Sequence, residues 1–269
     1  MLSYPQIDPV IFSIGPLQVR WYGLMYVLGF AATLLLVKYQ IKKFKFKELD
    51  VHFENLNLVL IISLVLGGRL GYVLFYNLPY YFKNPLEILA TWQGGMSFHG
   101  GMLGLIIGGV VFCRKKGLDF WRVADIYTVT VPIGLGLGRI GNFINAELYG
   151  RVTDVSWGMV FPGGGPLPRH PSQLYESFLE GLVLFLILWT LKDKQNPPAS
   201  WPSGSMMALC MILYGIFRII IEFFREPDAH LGFIAAGMTM GQMLSGLMII
   251  AGLALFIVRK NQAGRQPSS

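Results

Sequence analysis

Apolar residues along this chain gather in long blocks separated by short polar stretches, with neither strict alternation nor a sustained amphipathic period. Seven blocks stand out, at about 19–37, 56–76, 94–113, 125–144, 175–191, 205–224 and 237–258. Each approaches the roughly 20 residues that a helix needs to cross a bilayer core. Backbone groups in lipid must be satisfied internally, and an unalternating apolar run does this only as a helix. The pattern predicts an all-α integral membrane protein, a single transmembrane domain over 1–269 with seven transmembrane helices.

Composition supports that class. Of the 269 residues 54% are hydrophobic and 14% charged, with mean hydropathy +0.53, more apolar surface than a soluble domain of this size buries. The net charge of +7 is unevenly spread. Lys38, Lys42, Lys43, Lys45, Lys47, Arg114, Lys115, Lys116, Arg122, Lys192, Lys194, Arg259, Lys260 and Arg265 all fall on one side of the seven-span arrangement. Arg20, Lys83, Arg151, Arg169 and Arg225 fall on the other. The richer side is expected to be cytoplasmic, with the N-terminus outside and the C-terminus inside. The basic residues are scattered over loops, which argues against a nucleic-acid partner and for the bilayer with its anionic lipids.

On the outer side, segment 146–174 holds Pro162, Pro166, Pro168 and Gly163–Gly165, which break helices, and it is long for a plain connection. It is expected to form a small extracytoplasmic cap. Residues 1–19 lack a positively charged n-region, so the first span is expected to direct insertion itself. Cys113 and Cys210 read as buried thiols, no inverted repeat is visible, and the tail 261–269 reads as disordered. His99, His170 and His230 lack a close ligand spacing such as H-x-x-x-H, so no metal is expected.

Three basic residues lie within spans: Arg69, Arg139 and Arg218. A charge there costs at least a few kcal/mol and calls for a reason. In the expected topology all three lie toward the outer leaflet. Glu176, Glu180 and Glu222 are the acids within reach, so an ion pair is one explanation. Tyr214, Arg218, Glu222 and Arg225 form one helical stripe, which makes Arg218 its obvious case. The other explanation is an anion at headgroup depth, because the guanidinium fork matches phosphate oxygens. A phospholipid is the anion most available at that depth.

The stretch GLGRIGNFINAELYG, 136–150, ends the fourth block. Its glycines match a dinucleotide fingerprint without the strand and βαβ unit that fingerprint requires. Gly134 and Gly138 form a small-xxx-small pair suited to helix packing. Arg139, Asn142 and Asn145 follow at spacings of three and fan over an arc of about 120°. From Gly138 to Gly150 the run resembles the signature G-R-x-[GA]-N-F-x-N-x-E-x-x-G of bacterial prolipoprotein diacylglyceryl transferases, with all eight specified positions met. RWYGLMY at 20–26, GGRLGYVLFYN at 67–77, GGMSFHGG at 94–101, HPSQLYE at 170–176 and FFREPD at 223–228 resemble the same family.

The resemblance implies an enzyme of the bacterial inner membrane, without a cofactor, whose active site faces the periplasm. It implies transfer of the diacylglyceryl group of phosphatidylglycerol to the lipobox cysteine of a prolipoprotein signal peptide. A thioether forms and glycerol phosphate leaves, the first step of lipoprotein maturation. Arg139 and Arg218 are then the expected phosphate clamps. Asn142, Asn145, Glu147, Gly150 and Tyr214 are expected to hold the headgroup or the arginines. Tyr22 is a functional candidate whose plain alternative is the interfacial aromatic belt. His99 is the candidate thiol base, alternatively an orienting group or a bystander, because a free thiol is mostly protonated at neutral pH. Arg69, Glu222 and Arg225 are expected to support these residues as ion-pair partners. The rival function is a transporter of an anionic lipid or solute, with the same arginines lining a path; a third reading, a scaffold with internally paired arginines, leaves the signature without a purpose.

Overall fold

The computed structural model describes residues 2–15, 17–195, 201–226 and 237–264. His230, the end of the FFREPD motif and most of the expected disordered tail lie outside these residues. Helices dominate: α1 (Trp21–Lys43), α2 (Lys47–Tyr76), α3 (Leu78–Lys83), α4 (Phe98–Lys116), α5 (Phe120–Thr128), α6 (Val131–Ile144), α7 (Ser172–Gln195), α8 (Ser205–Glu222) and α9 (Met240–Ala263). Among the described residues, α1, α2, the α5–α6 pair, α7, α8 and α9 are the six helical segments long and apolar enough to cross a membrane. Leu35, Phe75 and Ile250 are exposed on such helices, an arrangement suited to lipid contact and not to water.

The third expected span does form a helix, α4, but five glycines, His99 and the terminal Arg114, Lys115 and Lys116 dilute its 19 residues. The fourth is divided. Helix α5 ends at Thr128 and α6 begins at Val131 with Pro132 in its first turn, where a proline is tolerated. The all-α expectation needs a correction at the N-terminus. There β1 (Leu2–Ser3) pairs in parallel with β4 (Met159–Val160), and β2 (Val10–Ile14) with β3 (Leu17–Arg20) makes an antiparallel, bulged hairpin. These strands are too short for the hydrophobic pattern to announce.

The chain divides into two compact units, Met1–Gln40 with Ala124–Ser269, and Ile41–Val123. In the larger unit, α6 packs on α7 through glycines: a methyl on Gly181 would lie 2.6 Å from the Gly136 Cα. Gly29 makes a similar approach to Gly134, whereas a methyl on Gly138 meets open space, so of the expected Gly134–Gly138 pair only Gly134 stands at a close helix contact. Asp125 ties α5 to the start of α8, its carboxylate accepting from the backbone N–H of Gly204 (2.6 Å) and Met207 (2.8 Å). Segment 146–171 is fixed to the N-terminus by Tyr4, whose hydroxyl donates to the carbonyls of Phe143 and Ile144 and whose ring packs on Phe161.

In the smaller unit, α2 and α4 approach backbone to backbone. A methyl on Gly67 would come 2.4 Å from the Gly100 carbonyl oxygen, and one on Gly71 2.7 Å from the Gly100 Cα. Such contact between small residues is a characteristic way for helices to associate where lipid offers no hydrophobic drive.

Candidate active site

The site grows from the end of α6. Ala146 and Leu148 both adopt left-handed backbone, with φ 54° and 57°, uncommon for residues with a Cβ. They turn the chain so that the Glu147 side chain comes back toward the helix. Its Oε1 accepts from Asn142 Nδ2 at 2.8 Å and from Asn145 Nδ2 at 3.2 Å, while Asn142 Oδ1 faces Arg139 Nη1 at 3.4 Å. The signature residues expected to act together are therefore one hydrogen-bonded chain. Tyr22 joins it: its ring lies where a side chain on Gly141 would stand, 2.7 Å from the added carbon, and its hydroxyl interacts with Asn142 and Tyr26.

The second wall is the start of α7. Ser172 Oγ donates to the Leu148 carbonyl (3.1 Å) and Gln173 Nε2 to that of Glu147 (2.6 Å), locking the helix start onto the signature turn. One residue group later comes Glu176, with no exposed side-chain surface. Its Oε2 meets Arg139 Nε at 2.7 Å and Arg218 Nη1 at 2.9 Å, and its Oε1 meets Arg225 Nη1 at 3.3 Å. Residues 177–183 continue as a π-helical stretch, a rare widening frequent at functional sites, and Glu180 on it is buried as well.

The third wall is α8. Arg218 reaches Glu180 Oε1 at 3.7 Å and Glu222 Oε2 at 3.2 Å, neither contact aligned as a hydrogen bond. Glu222 Oε1 accepts from the hydroxyl of Thr239, the residue that caps α9. Tyr214, one turn before Arg218, lies within electrostatic reach of Glu180, Arg218, Arg139 and Glu176. Arg151 closes the end of α8, donating from Nε to the Arg225 carbonyl (2.8 Å) and from Nη2 to that of Glu222 (3.3 Å), a cation placed where a helix leaves carbonyls unpaired.

Three guanidiniums thus converge on one buried carboxylate. Arg139 keeps the largest exposed share, 23% of its side chain, against 14% for Arg218 and 12% for Arg225. Chemically, the three guanidiniums and the carboxylates of Glu176, Glu180 and Glu222 form one ion-pair network where α6, α7 and α8 meet, with an edge of Arg139 left exposed.

Several expected roles change. The third arginine of the cluster is Arg225, not Arg69. Buried Arg69, expected in an ion pair, instead spends its five N–H donors on backbone carbonyls: Nε on Ile88, Nη1 on Gly94 and Gly95, and Nη2 on Glu87 and Ala90. It belongs to the smaller unit and fixes the 87–95 turn there. Gly150, expected at the headgroup, is buried. It donates to the His170 carbonyl, and a methyl on it would lie 2.4 Å from the Phe224 oxygen, so it seats the cap segment on the end of α8. His99 is exposed as the second residue of α4, its ring edge-on to Phe98.

An apolar cavity of about 530 Å³ is lined by Leu174, Tyr175, Phe178, Ile220, Ile221 and Phe224 among others. Trp157 Nε1 donates to the Tyr175 hydroxyl (2.7 Å), which contacts His170 Nδ1 at 3.2 Å. Burial pushes His170 below the ordinary histidine pKa, with Asp154 opposing weakly. The sequence names Glu176 only as one of three acids within reach of the arginines; the fold singles it out as the one that joins Arg139 to Arg218.

A profile of the family described as prolipoprotein diacylglyceryl transferase matches residues 9–258. A protein of Desulfotalea psychrophila named phosphatidylglycerol–prolipoprotein diacylglyceryl transferase is 61% identical over 264 residues, covering 98% of this chain and 97% of its own. Proteins of the same name from Bordetella avium and Geobacter sulfurreducens are each 51% identical, covering 99% and 96% of this chain and 100% and 97% of their own. With matches of this identity along its whole length, the chain belongs to the prolipoprotein diacylglyceryl transferase family.

Proposed function

We infer that this protein transfers the diacylglyceryl group of phosphatidylglycerol to the cysteine thiol of a prolipoprotein. In the reaction the sulfur bonds to the glyceryl carbon that carries the phosphate, and the carbon–oxygen bond to phosphate breaks. The phosphate leaves as glycerol phosphate, and the thiol proton balances its new negative charge or passes to solvent. Charge grows on the leaving phosphate, so fixed cations near it lower the barrier; removing one such group from an enzyme commonly costs about 100- to 1000-fold in rate.

The observation that carries this reading is the convergence of Arg139 and Arg218, from separate helices, on the single carboxylate of Glu176. A guanidinium pair at the end of apolar helices suits a lipid phosphate. Arg139 and Arg218 clamp the phosphate, and the Asn142–Asn145–Glu147 chain frames the headgroup with Tyr22 and Tyr214 at its edges. Glu222 and Arg225 hold the clamp. His99 serves as the thiol base. No observation favours the transporter reading, and the family assignment sets it aside.

The same reading makes α4 a seventh span. The N-terminus and segment 146–174 then lie on the periplasmic side of the bacterial inner membrane, with the signal peptide's lipobox meeting lipid below the cap. Cysteines placed at Gly163 and at Lys45 test this topology: in intact cells an impermeant maleimide should label the first and spare the second, and the reverse pattern refutes it.

The activity is tested with purified protein, phosphatidylglycerol and a lipobox peptide. Glycerol phosphate should appear in equal amount with thioether-linked peptide. Folded protein that releases none with both substrates present refutes the assignment.

A further inference from the structure

Glu176 is the centre of the cluster, and the sequence marks it only as one of three acids within reach of the arginines. Its Oε2 alone contacts Arg139 Nε at 2.7 Å and Arg218 Nη1 at 2.9 Å, while Oε1 takes Arg225 at 3.3 Å. Like charges brought this close repel strongly in a buried, low-dielectric setting unless an anion stands between them. Glu180 and Glu222 also lie near Arg218, but Glu176 is the carboxylate that contacts all three guanidiniums.

Two features decide between an anchor and a placeholder that phosphate displaces. The Glu176 side chain has no exposed surface. Its helix start is held to the signature turn by Ser172 and Gln173, whose partners are the carbonyls beside and of Glu147. The backbone that carries Glu176 is therefore fixed to the turn that positions Glu147, and its carboxylate is enclosed with the guanidiniums it bridges. One carboxylate oxygen meets Arg139 at Nε and Arg218 at Nη1, so it links the two guanidiniums and sets where they stand relative to each other.

We propose that Glu176 is a positioning residue for the transfer reaction: its buried carboxylate sets the separation and aim of Arg139 and Arg218 so that both engage the phosphate of the lipid. It touches neither substrate. The inference rests on the activity proposed above and adds to it the group that organises the clamp.

The test uses full-length protein in phosphatidylglycerol nanodiscs with a lipobox peptide, comparing Glu176→Gln and Glu176→Asp with the unaltered chain. Rates, melting temperature and the melting shift caused by added glycerol phosphate are all measured. The Gln variant should lose about 100-fold in kcat, with KM for the peptide nearly unchanged, and lose the glycerol phosphate shift. Where removing the charge prevents folding, the Asp variant decides. It keeps the charge but draws it back by one methylene, and should melt near the unaltered protein while losing about tenfold in kcat. Full activity in the Asp variant overturns positioning, because charge alone would then suffice. Near-normal kcat in the Gln variant, or a larger glycerol phosphate shift, overturns it too, since Glu176 would then be dispensable or a competitor of phosphate. An unaltered chain that shows no turnover refutes the activity, and the glycerol phosphate shift then decides the inference: its loss in the Gln variant supports positioning and its persistence refutes it.

Discussion

Arg69 and Arg139 both place a guanidinium within an apolar helix, and the protein accommodates them in opposite ways. Arg69 is enclosed by five backbone carbonyls, at distances from 2.6 to 3.3 Å. Every donor is used, the residue is 4% exposed, and the result is a rivet that shapes a turn. Arg139 meets a buried carboxylate and an asparagine, stays 23% exposed, and shares its acid with two other arginines. Carbonyl enclosure satisfies a cation and leaves it nothing further to bind. Carboxylate sharing gathers cations in one place and keeps an edge of them available. A charged residue in a membrane helix is thus a question about its partners before it is a sign of function.

That contrast can be broken most forcefully at the clamp. Arg139→Ala and Arg218→Ala should each lower glycerol phosphate release by about 100- to 1000-fold, with Lys rescuing only weakly because it lacks the planar fork. Near-normal release from either alanine variant removes that residue from the clamp. At the rivet the opposite profile is expected. Arg69→Ala strands several buried carbonyls, each costing about 1–3 kcal/mol, so yield and melting temperature should fall sharply. The protein that does fold should retain kcat within about tenfold, a comparison of specific activity after size-exclusion chromatography. A loss of kcat as deep as that of Arg139→Ala, without loss of stability, would erase the distinction.

The thiol base is the next smaller effect. His99→Gln should slow turnover about 10- to 100-fold at neutral pH, and the deficit should shrink as pH rises toward the thiol's own ionisation. Unchanged turnover at neutral pH would dismiss His99 as a base. The smallest effect concerns His170, whose pKa burial lowers. Because the folded state holds this proton less well than the unfolded chain, acidification through the ordinary histidine range should erode stability. Melting temperature should therefore decline as pH falls through that range, and His170→Gln should flatten the decline; an unchanged slope in the variant would assign it to other groups.

Much of the architecture could be read without coordinates, because apolar blocks of bilayer length have few alternative folds. The Arg139–Asn142–Asn145 spacing placed three polar groups on one arc, and these hydrogen bonds run along it. The stripe from Tyr214 to Arg225 was likewise local, and Arg218 and Glu222 do meet across one turn. What escaped depends on distant contacts. Glu176 meets Arg218 across 42 positions, and no helical spacing encodes that pairing. Arg69 bonds carbonyls, which every residue carries, so sequence could not separate it from the arginines of the cluster. The break at 129–130 was hidden because valine and isoleucine continue the apolar run across it. The short N-terminal strands were hidden because their register comes from partners and not from pattern.

The central claim is that Arg139 and Arg218, held by Glu176, grip the phosphate of a lipid. It is tested most directly by an experimental structure with bound phosphatidylglycerol or a non-reactive analogue. Phosphate oxygens should lie about 3 Å from both guanidiniums, with Glu176 still bridging them. A phosphate seated away from these arginines, or one that has displaced Glu176, would contradict the account.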